Sequence, residues 1–237
     1  MRTLQRGLPH AEKYGPFRKL KETIQGFKNS LPLIEELRNP AVQERHWNRI
    51  IQETGKEEQV GEINLKSITL QKVFELELHQ YQDKVTDVCK EAVAEANNEE
   101  QVRIIDEQWK QTFFNISMIP KKSDPNERIA ALKSPEEIRQ QLEDHIMTLQ
   151  SVGASKYARS VKAAVAKWEK DLNIITDTID CWMITQRKWM YLESIFSGED
   201  IKQQLPDQAR KFTKIDGKWS TIMSAVEKNK NVRFQCC

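Results

Sequence analysis

The sequence predicts a mainly α-helical protein, an elongated multi-helix bundle built around one long tryptophan-rich helix near residues 158–197. First, apolar residues recur at steps of three and four along most of the chain, which is the period of an amphipathic helix. Second, glycine and proline, which interrupt helices, number only eight each in 237 residues. Third, 30% of the residues are charged and 38% are hydrophobic, a balance typical of helices with a narrow apolar stripe and wide solvated faces.

Two helices are predicted near the N-terminus, after a loose segment formed by residues 1–16. Helical spacing runs over residues 17–37, and Pro32 inside this range predicts a kink or a restart of the helix. The second helix is predicted over residues 40–54, starting from an Asn-Pro pair and ending at a glycine. Residues 55–66 are interpreted as a charged loop.

The middle of the chain predicts three further helices and one β-hairpin. Helical spacing covers residues 69–93 and 99–113, and an Asn-Asn pair at residues 97–98 predicts a break between them. Alternating apolar residues on both sides of a turn-rich stretch predict a short hairpin within residues 113–132. A Ser-Pro-Glu-Glu run starts the next helix, over residues 134–152, before a glycine that stops it.

The long helix carries the clearest signal, because its apolar residues repeat every seven positions in two rows. The first row is Val161, Trp168, Ile175, Trp182, Trp189 and Phe196, and the second is Val165, Leu172 and Ile179. Three tryptophans in one row favour a multi-helix bundle over a two-stranded coiled coil, which has less room for such bulk. Gln186 interrupts the second row. We interpret it as a polar residue that fixes the register, with contact to a ligand as the alternative.

The C-terminal part predicts one last helix, starting near Asp200, and an irregular tail. The predicted apolar face of this helix is Ala209, Phe212, Ile215, Trp219, Ile222, Met223 and Val226. The predicted organisation is thus a first helical subdomain at residues 17–152 and a long-helix subdomain at residues 153–228, with an irregular tail at residues 229–237.

The sequence contains no pattern of residues that carries chemistry. It lacks the GxxxxGK[ST] phosphate loop and the GxGxxG, GxSxG and HExxH motifs. No cysteine pair has CxxC spacing and the histidines are isolated, so we expect two reduced structural thiols and an odd terminal pair of cysteines rather than a metal site, and surface or core-edge histidines. These residues are Cys89, Cys181, Cys236 and Cys237, and His10, His46, His79 and His145. We therefore predict no catalytic, cofactor-binding or metal-binding residue.

Charge and hydropathy exclude further partners. The formal net charge is only +2, which leaves no electrostatic footprint for nucleic acid. No stretch approaches the roughly 18–20 apolar residues that cross a bilayer, and the first residues form no apolar signal core. We expect no nucleic-acid partner, no membrane partner, and a location in the cytoplasm.

Several motifs, taken in order, resemble the linker region of dynein heavy chains. The main ones are W-x-x-x-Q-x-x-W-x-Y-L-E-x-I-F at residues 182–196 and D-I-x-x-Q-L-P at residues 200–206, followed by Phe212 and the stretch 216–219. Similar upstream motifs are L-P-L-I and L-R-N-P within residues 31–40, R-H-W at 45–47, L-E-D-H at 142–145 and K-W-E at 167–169. The resemblance runs from about residue 17 to about residue 227, and the joint order and spacing of the motifs make it specific.

The resemblance implies a mechanical role. In dyneins the linker is a helical lever that lies across a ring of AAA+ ATPase modules, and its bending and straightening with the nucleotide cycle drives movement along microtubules. The resemblance implies that the partner is the rest of the heavy chain, including that ring. It also implies that intermediate chains, light chains and microtubules are reached only through the full complex. ATP and Mg²⁺ would belong to the ring, so no cofactor is expected in this chain.

The chain departs from the dynein pattern by lacking every nucleotide-binding element. We therefore expect a non-enzymatic fragment or short form of a heavy chain. The resemblance implies a location in the cytoplasm and cytoskeleton, or in the axoneme of a cilium or flagellum for an axonemal heavy chain, which the motifs favour.

Two other classes of function stay open at this point. A spectrin-repeat-like scaffold that binds protein partners would also show heptads, but the helices around Trp109, Trp168 and Trp219 share no repeat. An enzyme of unrecognised type is disfavoured because no catalytic motif is present.

Overall fold

The computed structural model describes residues 13–56, 69–124 and 126–237. The described chain is mainly α-helical and has one two-stranded antiparallel sheet and one long helix, as predicted. Most of the predicted loose N-terminal segment, at residues 1–12, and most of the predicted charged loop lie outside the described residues.

Two compact units make up the chain, an N-terminal unit up to Asn97 and a C-terminal unit from Asn98. The predicted subdomains instead divide between residues 152 and 153. The structure joins the hairpin, the helix after it and the long helix in one apolar core, so this boundary falls inside the C-terminal unit.

The N-terminal unit is built from helices of different lengths around one core. Its helices are α1 (Gly15–Leu37), α2 (Glu44–Thr54), α3 (Leu70–Glu75), a 3-10 helix (Leu78–Tyr81) and the first part of α4 (Gln82–Lys110). Its buried apolar residues are Leu33, Leu37, Val42, Trp47, Ile50, Ile51, Leu76, Leu78, Val85, Val88, Cys89 and Ala92. Helix α1 starts at a glycine that was predicted to be loose, and it continues through Pro32 without the predicted restart.

Three predicted boundaries in this region are wrong. Helix α2 begins at Glu44 rather than at residue 40, because the Asn39 side chain accepts the backbone N–H of Ala41 and forms a turn there. The helix predicted over residues 69–93 is interrupted at Glu77, whose φ of 48° is left-handed. Helix α4 instead passes through the predicted Asn-Asn break.

The C-terminal unit packs the hairpin and five helices onto the second part of α4. Its elements are β1 (Ile116–Pro120), β2 (Arg128–Leu132), α5 (Glu136–Ala154), α6 (Lys162–Phe196), α7 (Glu199–Gln204), α8 (Pro206–Lys228) and α9 (Val232–Cys236). The two strands pair from Ile116 opposite Leu132 to Pro120 opposite Arg128, which confirms the predicted hairpin.

Helix α6 confirms the heptad prediction. It contains 35 residues, so it is about 50 Å long, and it has no glycine or proline inside. Its buried apolar residues follow the two predicted rows and are Val165, Trp168, Leu172, Ile175, Ile179, Trp182 and Trp189. The stripe therefore faces the core along nearly the whole helix.

The last predicted helix is divided into α7 and α8 at Leu205. Helix α8 buries Phe212, Trp219, Met223 and Val226, as expected, but Ile215 and Ile222 are each 48% exposed. These two isoleucines were predicted to belong to the buried face, and that prediction is wrong. No helix in the described ranges is long and apolar enough to span a lipid bilayer.

The predicted irregular tail at residues 229–237 contains helix α9. Asn231 caps it by accepting the backbone N–H of Phe234, and the same side chain donates to the backbone oxygens of Trp109, Lys110 and Thr112. The tail therefore satisfies carbonyls that the end of α4 would leave unpaired, a contact that local sequence does not predict.

Replacing either of two glycines with alanine should change the stability of the chain, and the two changes should have opposite signs. Gly217 lies inside α8 with open space around its missing Cβ, so Gly217→Ala should stabilise the chain by about 0.5–1 kcal/mol. Gly55 ends α2 at a φ of 66°, so Gly55→Ala should destabilise it by about 1 kcal/mol. Chemical denaturation measures both changes, and effects of the same sign would contradict these backbone assignments.

Candidate functional site

The feature that distinguishes this bundle is a group of buried polar side chains that bind the hairpin to α6 and α8. We call it the hairpin clamp and define it as Lys121, Gln186, Trp189, Glu193 and Asp216. Gln186 and Glu193 lie on the buried face of α6 and are 6% and 5% exposed. Polar groups buried to this degree are nearly always hydrogen-bonded in folded proteins.

Gln186 pairs with the backbone of the hairpin. Its Nε2 donates to the carbonyl of Leu132 at 2.8 Å, and its Oε1 accepts the Leu132 N–H at 2.9 Å. The side-chain amide thus takes the place of a neighbouring strand at the end of β2. Gln186 fixes the position of the hairpin on α6, which agrees with the predicted register role.

Glu193 holds the turn of the hairpin. Its Oε1 accepts the backbone N–H groups of Lys122 at 2.6 Å and Ser123 at 2.9 Å. Hydrogen bonds to an ionised acceptor are stronger than neutral ones. Glu193 was not predicted as a functional residue, although it stands seven positions after Gln186 in the second row of the heptad pattern.

Lys121 and Asp216 connect the same turn to α8. The Lys121 side chain is 5% exposed, and its ammonium lies 3.2 Å from Asp216 Oδ2 and 3.0 Å from the Glu127 carboxylate. Burial alone would lower the pKa of Lys121, but the hydrogen bonds to Glu127 and Asp216 outweigh it and raise the pKa above its ordinary value. The lysine therefore stays charged and paired.

Trp189 completes the clamp from α6. Its indole N–H donates to Asp216 Oδ1 at 3.0 Å, and its ring stacks on Trp219 with ring centres 5.8 Å apart. Asp216 thus accepts from an ammonium on the hairpin and from an indole on the long helix. Three elements that are distant in sequence are held by one carboxylate.

A second polar contact joins α4 to α5. The Trp109 indole N–H donates to Nδ1 of His145 at 2.9 Å, and Trp109 is fully buried. Burial lowers the pKa of His145, and the nearby Asp144 carboxylate opposes this only in part. The imidazole is neutral in this bond, because a protonated Nδ1 has no lone pair to accept the indole hydrogen.

The His145 contact should make stability depend on pH. Above pH 6.5, the ordinary value, His145 is neutral in both states and the bond contributes fully. Below it, the unfolded chain binds a proton that the folded chain resists, so stability should fall as pH drops from 6.5 toward the lower folded pKa. The free energy of unfolding, measured across this pH range, should fall more steeply for the original chain than for the His145→Asn variant. Parallel profiles would contradict the assignment.

The tail helix is anchored by a cation. The Arg233 guanidinium lies 4.2 Å from the centre of the Trp168 ring and 3.0 Å from an oxygen of Asp171. It also lies 3.5 Å from Asp106 on α4. Arginine stacks on aromatic rings while its N–H groups bind carboxylates, so one side chain holds α9 against α6.

The N-terminal unit has a polar contact of its own between α2 and α4. His46 is 4% exposed, its Nδ1 accepts the backbone N–H of Gln43 at 3.0 Å, and its Nε2 lies 3.2 Å from Glu95. Arg45 binds the same carboxylate at 2.7 Å. A second pair, between Arg49 and Glu91, lies one turn later on α2 and one turn earlier on α4. These bonds fix α2 on α4.

The polar groups of the clamp are all engaged in structural bonds, and this arrangement offers no free acid, base or nucleophile. No group of three or more histidine, cysteine or acidic side chains in the described ranges is arranged to hold a metal ion. The four cysteines are free thiols. Burial raises the pKa of Cys89 to about 11 and that of Cys236 to about 12, so these thiols are poor nucleophiles at neutral pH.

Comparison with known proteins gives a consistent result over the whole length. Residues 1–237 match the family described as "Dynein heavy chain, N-terminal region 2". The chain is 39% identical over 218 residues to the Dynein-1-alpha heavy chain of the flagellar inner arm I1 complex from Chlamydomonas reinhardtii. It is 36% identical over 218 residues to human dynein axonemal heavy chain 10 and 35% identical over 233 residues to mouse dynein axonemal heavy chain 5.

These matches cover most of this chain and little of the relatives. They span 92%, 92% and 98% of the chain, respectively, but only 5% of each relative.

Proposed function

The chain belongs to the dynein heavy chain family, in its N-terminal region 2, and from this premise we propose that it is a segment of the mechanical linker of an axonemal heavy chain. In this role it transmits the nucleotide-driven movement of an AAA+ ring to the tail of the motor. The expected site of action is the axoneme of a cilium or flagellum.

One observation carries this proposal, namely a long helix that is braced along its length. A lever transmits force only if it resists bending, and glycine or proline inside a helix weakens or kinks it. Helix α6 has neither over 35 residues, and the clamp residues Gln186 and Glu193 fasten the hairpin along its C-terminal half. These bonds favour a single stiff body around α6.

The residues that carry the family motifs support the same interpretation. Gln186, Trp189 and Glu193 belong to one motif, and Asp216 begins a later one. All four are members of the hairpin clamp. The motifs are thus accounted for by a structural connection, which is what a non-catalytic lever requires.

The partners and chemistry follow from the same proposal. The segment contacts the rest of its heavy chain, including the AAA+ ring, and it reaches intermediate chains, light chains and microtubules only within the full complex. ATP and Mg²⁺ bind in the ring, and this segment contributes no catalytic group. The family match disfavours the spectrin-repeat alternative, which rested on heptads alone.

A chimera tests the linker role. In a recombinant heavy chain related to the Chlamydomonas protein, the matching segment is deleted or exchanged for this chain. Deletion should abolish microtubule gliding while ATP hydrolysis by the ring continues, and the exchange should restore gliding. Gliding at unchanged velocity after the deletion would sink the proposal.

A further inference from the structure

The outer face of α8 carries an uncompensated row of positive charge. Four exposed lysines lie on one side of this helix, because the distances between them in sequence are combinations of three and four residues, the spacing of neighbours on a helix face. Two isoleucines, seven positions apart, lie beside them and are each 48% exposed. We call this surface the lysine face and define it as Lys211, Lys214, Ile215, Lys218, Ile222 and Lys228.

Several other cations on the same unit are paired with carboxylates, whereas the lysines of this face are not paired within the described residues. Arg103 binds two glutamates on α4, Lys202 binds Glu199, and Arg210 binds an aspartate one turn before it. None of the four lysines of the lysine face pairs with a carboxylate in the described part of the chain. Like charges four positions apart on a helix repel each other, as Lys214 and Lys218 do. The formal charge of the whole chain is only +2, so this concentration is local.

The isoleucines add an apolar component to the face. Ile222 lines a cavity of about 630 Å³ together with the Trp182 and Trp219 rings. An aliphatic side chain of a partner that lies along α8 can enter this cavity while neighbouring acidic groups reach the lysines. The surface thus combines an electrostatic row with an apolar anchor, as protein interfaces do.

From this charge complementarity we propose that the lysine face binds an acidic polypeptide segment, a helix that presents carboxylates at matching spacing beside one or two aliphatic residues. Nucleic acid fits less well, because the neighbouring arginine, Arg210, is already paired with Asp207, and the face has no exposed aromatic ring on which bases could stack. An anionic membrane fits less well, because an interfacial helix needs a broad apolar face with large residues. The inference does not depend on the lever role.

The probe is a synthetic helical peptide of about four turns with glutamates at matching heptad positions and two leucines seven residues apart. The control peptide has the same sequence with glutamine in place of each glutamate. Fluorescence anisotropy at low ionic strength measures binding to the full chain. Binding should require the glutamates and weaken as salt rises.

Two triple variants test the proposal, and each replaces three lysines with glutamine, one on the lysine face and one on α6. Lys211→Gln, Lys214→Gln and Lys218→Gln together should weaken peptide binding about tenfold, as expected for three exposed charge pairs. The control changes Lys162, Lys167 and Lys170 to glutamine on α6, and affinity should stay within about twofold. All six lysines are exposed, and thermal melts by circular dichroism verify that both variants remain folded.

Three outcomes would overturn the proposal. One is an equal loss of affinity in the two triple variants, which would indicate a general charge effect. Another is equal binding of the glutamine peptide. The third is tighter binding to duplex DNA or to phosphatidylserine vesicles than to the acidic peptide.

Discussion

Trp189→Ala should lower the free energy of unfolding by about 3–5 kcal/mol, the usual range for truncating a buried aromatic residue. The Trp189 ring is 3% exposed and stacks on Trp219, so its removal leaves a cavity between α6 and α8. It also removes one of the two donors that Asp216 accepts from. Chemical denaturation followed by circular dichroism measures the loss.

Tyr191→Ala is the matched control for this prediction. Tyr191 stands two positions further along the same helix but is 68% exposed, so its truncation should change stability by about 0.5 kcal/mol or less. A loss below about 1 kcal/mol for Trp189→Ala would contradict its place in the core.

Asp216→Ala should cost about 3 kcal/mol, because it removes a partner from two buried donors at once. The Lys121 ammonium would keep only the half-exposed Glu127, and the Trp189 indole would lose its acceptor. The hairpin turn would then be held by Glu193 alone. The free energy of unfolding at neutral pH measures this effect.

A double-mutant cycle separates the two donors. In a Lys121→Met background, Asp216→Ala should cost about 1–2 kcal/mol, the penalty for the unpaired indole alone. An equal cost in both backgrounds would mean that the ammonium and the carboxylate do not interact, and the clamp as described would be wrong.

The fold was predictable wherever local pattern decides it. The heptad rows of α6 repeat over nearly five heptads, and a helix with such a stripe is stable only when the stripe faces a core. The hairpin was predictable because alternating apolar residues lie directly before and after a stretch of turn residues in the sequence. The family motifs indicate a function, which the periodicity of apolar residues cannot indicate.

The missed features depend on contacts between residues far apart in the chain. In the sequence, Glu193 is only a polar residue at the end of a heptad row. Its role depends on the hairpin turn at Lys122 and Ser123, which lies about 70 residues earlier in the chain and donates hydrogen bonds to it. Helix α9 has only five residues, and Arg233 holds it through Trp168 and two aspartates rather than by helix propensity.

The Asn-Asn pair at residues 97–98 was misread for a related reason. Asparagine has low helix propensity, which favours a break, but propensity is a weak effect that tertiary contacts override. In the structure the Asn98 side chain donates to the Ser155 hydroxyl at 3.2 Å, and α4 continues. The division between the two compact units still falls at this pair, inside a continuous helix.

The stiffness of α6 is the central claim, and one comparison in the chimeric motor tests it most directly. Lys170 and Asn173 are exposed positions of α6, and changing both to glycine adds flexibility without removing a core contact, whereas changing both to alanine does not. The glycine pair should lower microtubule gliding velocity while the ATPase rate is retained, and the alanine pair should leave both unchanged. Equal gliding velocities for the glycine and alanine pairs would contradict a lever that works through the stiffness of this helix.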